Sequence, residues 1–316
     1  MKKTLIAAAV LTTVGASAFA QSTVTIYGRV NESIERQKVD NGPNDWRMQN
    51  NSSRIGFKGV EELGGGLKAG FVLEHGFNLE TGTQSQSAFW ARQSEVNLSG
   101  GFGMVRLGNF TSEAYYATAD YVSMHNHDTG TSADRLYAYL GRDTSKVAYR
   151  TPSLGGVTIE GAVTEGGSFE RTYDLAANYD AGPLHLGVGY QKANPSDKSA
   201  DQFAVRALYE LGAFTFGGYV QRDKDGYGDG LGNRTTYRLA GMYTVGNAEL
   251  HLNYGRAGAY SNRVGSLGAS ANQYTLGANY NLSKRTKVYT FFTKLADSGT
   301  LYGDFQSFAV GVRHNF

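Results

Sequence analysis

The chain has 316 residues, with 30 basic and 28 acidic side chains, a formal net charge of +2 and no cysteine. A charge this close to neutral argues against bulk binding of nucleic acid, and the lack of cysteine excludes disulfides as the support of the fold. Mean hydropathy is −0.38, and no stretch after residue 20 supplies the run of apolar residues that a membrane helix needs. Two classes stay open: a secreted all-β protein and an outer-membrane β-barrel, whose polar interior also lowers mean hydropathy.

The first twenty residues have the three parts of an export signal. Lys2 and Lys3 give a positive start, a short apolar core follows, and small residues around Ala20 form a cleavage site. We therefore predict a signal peptide at 1–20 and one mature domain at 21–316. Both lysines would leave with the signal, which lowers the basic count from 30 to 28, equal to the acidic count.

Alternation of apolar and polar residues recurs in sixteen runs along the mature chain. In ELHLNY (249–254), for example, two leucines and a tyrosine alternate with Glu249, His251 and Asn253. Tight connections are expected at 61–66, 99–103, 152–156, 181–183, 211–213, 245–247 and 282–284, and longer polar ones near 37–50, 80–87, 111–143, 166–170, 193–200, 223–233, 257–270 and 296–303. Short turns at one end and long loops at the other are typical of bacterial outer-membrane proteins. The sequence predicts an all-β fold, a 16-stranded antiparallel transmembrane β-barrel with aromatic girdles at the strand ends.

The polar face of each strand is expected to line the interior, because charges facing lipid are costly. Inner acids are fewer than inner cations and are chiefly Glu160, Asp174 and Glu249. The early strands would therefore form a basic wall. The cations predicted to face inward are Arg29, Arg54, Lys58, Arg106, Lys146, Arg150, Arg206 and Arg238.

One predicted strand does not follow this rule of charged residues on the inner face only. In FWARQSEVNL (89–98), Arg92 and Glu95 have opposite parity, so one of them should point outward. An outward charge would be tolerated under a neighbouring subunit, which suggests oligomerisation through the early strands with three-fold symmetry. A bulge, or a position at the level of the lipid headgroups, is the alternative.

The connection at 111–143 is too long to be a structureless excursion, which indicates a function. It contains the acids Glu113, Asp120, Asp128 and Asp134, together with several tyrosines and two histidines. Folded inward, it would narrow the lumen and set its acids opposite the basic wall, which would filter permeants by charge. Folded outward, it would leave a wide pore. The residues alone leave both possibilities open.

Five stretches together resemble one family. STVTIYGRV, SSRIGFKGVEELGGGLKAGF, FWARQSEVNLSGGFGMVRLGNF, KVAYRTPSLGGV and the closing VGVRHNF are similar to the general porins of beta-proteobacterial outer membranes. The resemblance implies homotrimers of sixteen-stranded barrels whose third external loop, here within 111–143, folds into a water-filled channel. It also implies passive diffusion of small hydrophilic solutes, with a moderate preference for anions.

The resemblance extends to individual residues. In anion-selective members, arginines of the second, fourth and sixth strands form the constriction, and the matching positions are Arg54, Arg92 and Arg150, which places Arg92 inside and Glu95 outside. We expect the basic cluster to comprise these three with Lys58, Arg106 and Lys146, facing the loop acids Glu113 and Asp120.

The resemblance also implies binding partners and a signal for assembly into the membrane. The terminal Phe316 would be read by the barrel-assembly machinery and would lie beside the first strand, where the barrel closes. Outer-membrane lipid and lipopolysaccharide would surround the protein. No cofactor, metal or nucleic acid is expected.

Other functions, such as metal binding or catalysis, have weaker support in the sequence. His125-Asn126-His127-Asp128 offers metal-ligand types without a fourth ligand, and Asp223-Lys224-Asp225-Gly226 begins like a calcium loop but is interpreted as a solvated loop tip. His75, His185 and His251 lack a nucleophile motif, which argues against an enzyme. A substrate-specific channel, in which loop tyrosines guide a sugar or an aromatic solute, and a structural or adhesin barrel remain as alternatives.

Overall fold

The computed structural model describes residues 22–39, 42–124, 135–141, 143–166, 169–194, 199–262 and 267–316. The strands are β1 (Thr23–Val39), β2 (Asn44–Asn50), β3 (Arg54–Gly64), β4 (Leu67–Gly76), β5 (Gln93–Gly100), β6 (Gly103–Asn109), β7 (Lys146–Arg150), β8 (Val157–Gly166), β9 (Phe169–Ala181), β10 (Leu184–Asn194), β11 (Ala200–Leu211), β12 (Phe214–Lys224), β13 (Asn233–Val245), β14 (Ala248–Ala257), β15 (Ala271–Asn281), β16 (Thr286–Asp297) and β17 (Phe305–Asn315). A short helix α1 (Glu113–Ala117) and a 3-10 turn (Asp120–Val122) follow β6. Within the described residues, neither is long or apolar enough to cross a membrane.

The strands pair antiparallel in chain order, and β17 returns to pair with β1, so the sheet closes into a barrel. Both β2 and β3 pair with β1, at its second and first halves respectively. These two segments are therefore one barrel strand, interrupted at residues 51–53, where Ser52 takes a positive φ of 57°. The predicted sixteen-stranded antiparallel barrel is confirmed.

The predicted first long loop, near 37–50, is wrong. Strand β1 runs to Val39 and β2 begins at Asn44, with paired residues from Glu32↔Asn50 to Lys38↔Asn44. The polar side chains that suggested a loop belong to a hairpin that extends the barrel wall. Overall polarity was a poor indicator here, because β2 still alternates: Trp46 and Met48 are exposed between the polar residues Asp45, Arg47 and Gln49.

Apolar side chains dominate the outer face of the barrel wall, and polar side chains dominate its inner face. Leu252 and Leu276 lie opposite each other on β14 and β15, and their side chains are 62% and 61% exposed. The alternate residues His251, Asn253 and Thr275 are buried. Because a water-soluble protein buries its leucines, this inverted pattern indicates an outer surface that contacts lipid.

Aromatic side chains gather at both ends of the barrel wall. Near the short turns, the Phe214 and Tyr243 rings lie 4.7 Å apart. Toward the opposite ends of β14 and β15, the Tyr254 and Tyr274 rings lie 5.0 Å apart. Two such belts match the two interfaces of a bilayer. We call the end with the short connections the short-turn end.

The chain closes the barrel at Phe316, one residue beyond β17. Its amide donates to the Gly28 carbonyl at 3.1 Å and its carbonyl accepts from the Gly28 amide at 3.0 Å. A Cβ at Gly28 would lie 2.4 Å from the Phe316 ring. The glycine in the first strand therefore leaves the space in which the last aromatic ring seals the seam.

Candidate channel constriction

The first cluster of charged residues joins β3, β4 and the connection before β5. Glu74 on β4 accepts a hydrogen bond from Arg92 Nε at 2.7 Å, and its Oε1 lies 3.8 Å from Arg54 Nε. The Tyr27 hydroxyl of β1 also hydrogen-bonds this carboxylate. Two of the predicted arginines therefore share one acid, which we call the Glu74 cluster.

The second cluster centres on Arg106 of β6. Its Nη2 lies 2.7 Å from Glu95 Oε2, and its Nη1 lies 3.2 Å from Glu160 Oε2. The guanidinium also stacks on the Phe110 ring, with the Cζ atom 4.0 Å from the ring centroid. All three charged side chains are almost fully buried, so Arg106 neutralises two carboxylates behind the lumen surface.

The third cluster joins the wall to α1. Arg150, the last residue of β7, lies with Nε 2.9 Å from Glu160 Oε2 and forms a second ion pair through Nη2 with Glu113 of α1. Asn178 of β9 donates to the other Glu113 oxygen at 3.3 Å. Of the predicted loop acids, Glu113 thus lies against the predicted Arg150.

Two predicted cations stand apart from these contacts. Lys146 is buried, where its Nζ donates to the Phe110 carbonyl at 2.9 Å and lies 3.4 Å from Asp143. Lys58 is exposed, with its Nζ 5.3 Å from the centroid of the Tyr27 ring. Lys146 therefore holds the base of the long connection, and Lys58 presents a charge to water.

The first part of the long connection, residues 110–124, packs closely on β9 and β10; we call it the outgoing limb. Ser112 caps α1, and the Ala114 amide donates to Asp174 Oδ1 at 3.2 Å. On β10 two glycines face the helix: a Cβ at Gly187 would lie 2.0 Å from the Ala117 carbonyl oxygen. Any larger residue at Gly187 would push α1 away from the wall, since no side chain fits at that distance.

The limb continues toward the short-turn end. The Tyr121 hydroxyl donates to Asp180 Oδ1 at 2.6 Å, beside the β9–β10 turn. Arg206 of β11 covers the Tyr121 ring at 3.6 Å from its centroid and donates through Nε to the Ala117 carbonyl at 2.9 Å. Asp120, the second predicted loop acid, begins the 3-10 turn at this point.

Three glutamine side chains hold residues 135–141, which we call the returning limb of the long connection. Gln221 grips the backbone of Ala138, accepting from its amide at 2.8 Å and donating to its carbonyl at 2.9 Å. Gln191 accepts from the Leu140 amide at 3.2 Å. Gln202 links the two, with hydrogen bonds of 3.1 Å to each. Glutamine side chains of three adjacent strands therefore hold this limb, two of them through hydrogen bonds to its backbone.

A buried arginine anchors the same limb near the external loops. Arg234 lies 3.2 Å from Asp223 Oδ2 through Nε, and it donates to the Tyr302 hydroxyl at 2.5 Å and to the Leu136 carbonyl at 3.5 Å. The Tyr227 ring centroid lies 4.6 Å from its Cζ. One side chain thus ties together the connections that follow β12 and β16 and the long segment after β6.

The chain was compared with known protein families. The family described as "Gram-negative porin" matches residues 7–300. The chain belongs to the Gram-negative porin family. This porin is 33% identical to outer membrane porin protein 32 of Delftia acidovorans and 28% identical to an outer membrane porin protein of Bordetella pertussis, in each case over all of both chains. It is an outer-membrane channel for passive diffusion.

Solved structures agree with this assignment. The porin resembles an anion-selective porin from Comamonas acidovorans with a TM-score of 0.74 and 26% identity, covering 94% of this chain and 100% of that one. It also matches the fold of OmpT of Vibrio cholerae in a trimer form, with a TM-score of 0.69 and 16% identity, over 93% of this chain and 99% of the other.

The predicted orientation of Glu95 is wrong. The porin turns Glu95 to the inner face, where Gln93 and Asn97 donate to it at 3.1 Å each. Arg92 also reaches inward, to Glu74. The strict alternation that set Arg92 and Glu95 on opposite faces does not apply, because β5 begins at Gln93 and Arg92 lies in the connection before it.

The predicted basic wall is also charge-balanced, which the sequence did not indicate. Glu74, Glu95 and Asp143 each approach a predicted cation, in addition to the expected acids Glu113 and Glu160. Glu74 could have been found from parity, because it lies on the same face of β4 as Gly70, Val72 and Gly76. Its hydrogen bond with Arg92 depends on the path of the connection between β4 and β5, which no periodic pattern describes.

The two candidate metal-binding motifs of the sequence compare differently with the structure. The His125–Asp128 motif lies outside the described residues, as does Asp134. The interpretation of Asp223 as a solvated loop tip is wrong: its carboxylate is buried against Arg234 and accepts from the Tyr260 hydroxyl. In the described part of the chain, no three His, Cys, Asp or Glu side chains gather as metal ligands would.

Glu113 should make the current depend on pH. Burial raises the pKa of Glu113 to about 7, despite the opposing charge of Arg150, while Glu160 and Asp174 raise it further. Between about pH 8 and about pH 6 this carboxyl becomes neutral, whereas Arg150 keeps its charge. We expect anion preference, measured as the reversal potential under a salt gradient, to rise as the pH falls.

The control for the pH effect is Glu113→Gln, which imitates the neutral acid. Its reversal potential at about pH 8 should equal that of the native porin at about pH 6. A pH response that persists unchanged in this variant would assign the titration to another group.

Proposed function

We propose that this porin favours small anions and that Arg54, Arg92 and Arg150 determine the preference. The observation that carries the proposal is the unequal exposure within each ion pair. Arg92 is 26% exposed and Arg54 is 19% exposed, whereas their shared Glu74 is 13% exposed. Arg150 is 33% exposed, whereas its partner Glu160 is 2% exposed.

This difference acts on a permeant through distance. A solute at the lumen surface meets the guanidinium groups first, and the carboxylates lie behind them. Because Coulomb energy falls with distance and is screened over about 8–10 Å by salt, the nearer charge dominates. The balanced charge of the clusters therefore still supports a positive lining, and the buried acids hold each arginine in place.

We further propose that the segment after β6 narrows the channel. Its support is the set of contacts with strand side chains of the inner face, among them Ala176, Gln202 and Gln221. The charges of Glu74 and Arg92 also act on the Tyr116 hydroxyl of α1, so α1 lies within electrostatic reach of the Glu74 cluster. Solutes would pass between them.

The decisive experiment is the reversal potential of single channels in a planar bilayer under a potassium chloride gradient. An anion preference gives the sign expected for chloride, and a cation preference would overturn the proposal. Transport of this kind uses the gradient of the solute itself, so we propose that the channel works without catalysis, cofactor or metal.

A sugar track along the tyrosines receives little support. Tyr115 packs edge to face on both Tyr137 and Tyr139, with ring centroids 5.9 Å and 5.4 Å apart. Tyr137 is buried against Tyr219 of β12. Rings engaged in packing cannot offer a continuous surface to a passing solute, so no second function is proposed.

We propose a homotrimer in outer-membrane lipid and lipopolysaccharide. The trimer form of the Vibrio structure supports it. Ultracentrifugation of the detergent-solubilised protein measures the mass and tests the assembly.

We propose that residues 1–20 are removed on export and that Phe316 guides assembly. Replacing Phe316 by alanine removes the ring that packs on Gly28, so we expect less folded porin in the outer membrane, measured by heat-modifiable mobility on gels. Refolding of purified protein into vesicles separates the two roles. A defect in cells alone indicates loss of recognition by the assembly machinery, whereas an unchanged yield in cells would contradict the proposed signal.

A further inference from the structure

A second group of cations lies on the inner face near the short-turn end, away from the constriction. Lys287 of β16 pairs in register with Arg313 of β17. Arg29 of β1 pairs with Asn315, two residues along β17 from Arg313, and donates to its side-chain oxygen through Nε at 3.3 Å. Three adjacent strands thus bring three positive charges together.

Such an arrangement opposes the usual pairing preference of a sheet. Like charges directly opposite each other on neighbouring strands are destabilising, and diagonal neighbours remain within reach of long side chains. The charges of both Arg313 and Arg29 repel the Lys287 ammonium. A sequence that keeps three cations here accepts a cost in stability, which suggests that something other than folding requires them.

An open pocket of about 540 Å³ lies beside these cations. Lys287 and Arg313 line it, together with Lys284 and Arg285 from the β15–β16 turn. Of the described residues that line it, Glu249 is the single acid, against four cations.

Glu249 is itself well satisfied. It accepts from Asn279 at 2.8 Å, from Asn281 at 2.7 Å and from Lys287 at 3.1 Å. Among the described residues that line the pocket, cations outnumber acids four to one.

We propose that Lys287, Arg313 and Arg29 form a binding site for small oxyanions at the short-turn end, separate from the constriction. Guanidinium groups match the oxygens of phosphate, sulfate or carboxylate in paired hydrogen bonds, and an ammonium adds a compact charge. This proposal rests on the proposed anion preference and extends it. An anion that has passed the arginines of the constriction would bind at a second site before it leaves the channel. Because short turns face the periplasm in bacterial barrels, the site would serve the periplasmic mouth.

Inorganic phosphate tests the site. Chloride current through single channels is measured while phosphate is added to one side of the bilayer. We expect partial block that is stronger from the short-turn side, and we expect Lys287→Gln/Arg313→Gln to raise the half-blocking phosphate concentration about tenfold, since each charge-assisted contact is lost. Lys287→Arg, which keeps the charge, should retain the block.

The matched control is Lys294→Gln/Arg36→Gln, which removes the same charge from exposed positions of β16 and β1. It should leave the phosphate block unchanged. If the double variant of the site fails to fold, the single Lys287→Gln variant replaces it, with an expected increase of about threefold. An unchanged half-blocking concentration in a folded site variant overturns the inference.

The outcome also separates the two proposals. A native channel that prefers cations contradicts the proposed function itself. A native channel that prefers anions, with a phosphate block that responds to Arg54→Ser/Arg150→Ser but not to Lys287→Gln/Arg313→Gln, contradicts only the second site.

Discussion

Replacing Arg106 by glutamine is expected to lower the free energy of unfolding by about 3–5 kcal/mol, because breaking a buried ion pair leaves an uncompensated charge. Arg106 holds both Glu95 and Glu160 at 2.7–3.2 Å where water scarcely reaches. Urea unfolding of the porin in lipid vesicles, followed by tryptophan fluorescence, measures the loss. A change below about 1 kcal/mol would show that water in the lumen already screens these charges.

The two acids should differ in their response. Glu160 keeps its 2.9 Å contact with Arg150 after the substitution, whereas Glu95 retains only the neutral donors Gln93 and Asn97. Adding Glu95→Gln to Arg106→Gln is therefore expected to restore most of the lost stability, and adding Glu160→Gln should restore less. Equal recovery from both would contradict the assignment of Glu95 as the stranded charge.

The triple variant Arg54→Ser/Arg92→Ser/Arg150→Ser should reverse the ion selectivity of the channel. Glu74 loses both of its arginine partners. Glu160 loses Arg150 but keeps Arg106, and Glu113 loses the charge of Arg150 that lowers its pKa. The lining then becomes negative, and charged side chains at a pore determine which ions enter. The reversal potential under a potassium chloride gradient should change sign.

A control for net charge is available on the outer face. Arg36, Arg222 and Lys294 are exposed on β1, β12 and β16, so replacing all three by serine removes the same total charge without touching the lumen. This variant should keep the native reversal potential. If it shifts the potential as far as the constriction variant does, the overall field of the protein, rather than the three arginines, determines selectivity.

The barrel was predictable from the sequence because alternation has a local cause. A strand between lipid and water must place its apolar side chains on one face, so the parity of Leu252 against His251 specifies both the strand and its orientation. The same reasoning assigned Arg54, Arg106 and Arg150 to the interior. It failed at residues 37–50, where the many polar residues suggested a loop although Trp46 and Met48 still alternate with polar side chains along β2.

The partners of these charges were not predictable in the same way. Glu95 was turned outward by parity with Arg92, although the strand begins one residue later. Asp223 was interpreted as a loop tip, yet it lies beside Arg234, eleven residues away across a connection. Both errors concern connections, where the path of the chain is set by long-range contacts rather than by local periodicity.

The sequence by itself therefore determined the architecture, the inner and outer faces and the inventory of inner cations, since each follows from the solvent on either side of a strand. Only the tertiary structure decided which acid meets which arginine, that Glu113 reaches Arg150, and that Lys287, Arg313 and Arg29 meet across β16, β17 and β1. The physical reason is closure. Residues nearly three hundred positions apart become neighbours when the last strand pairs with the first, and electrostatic energies depend on that distance in space and not on separation along the chain.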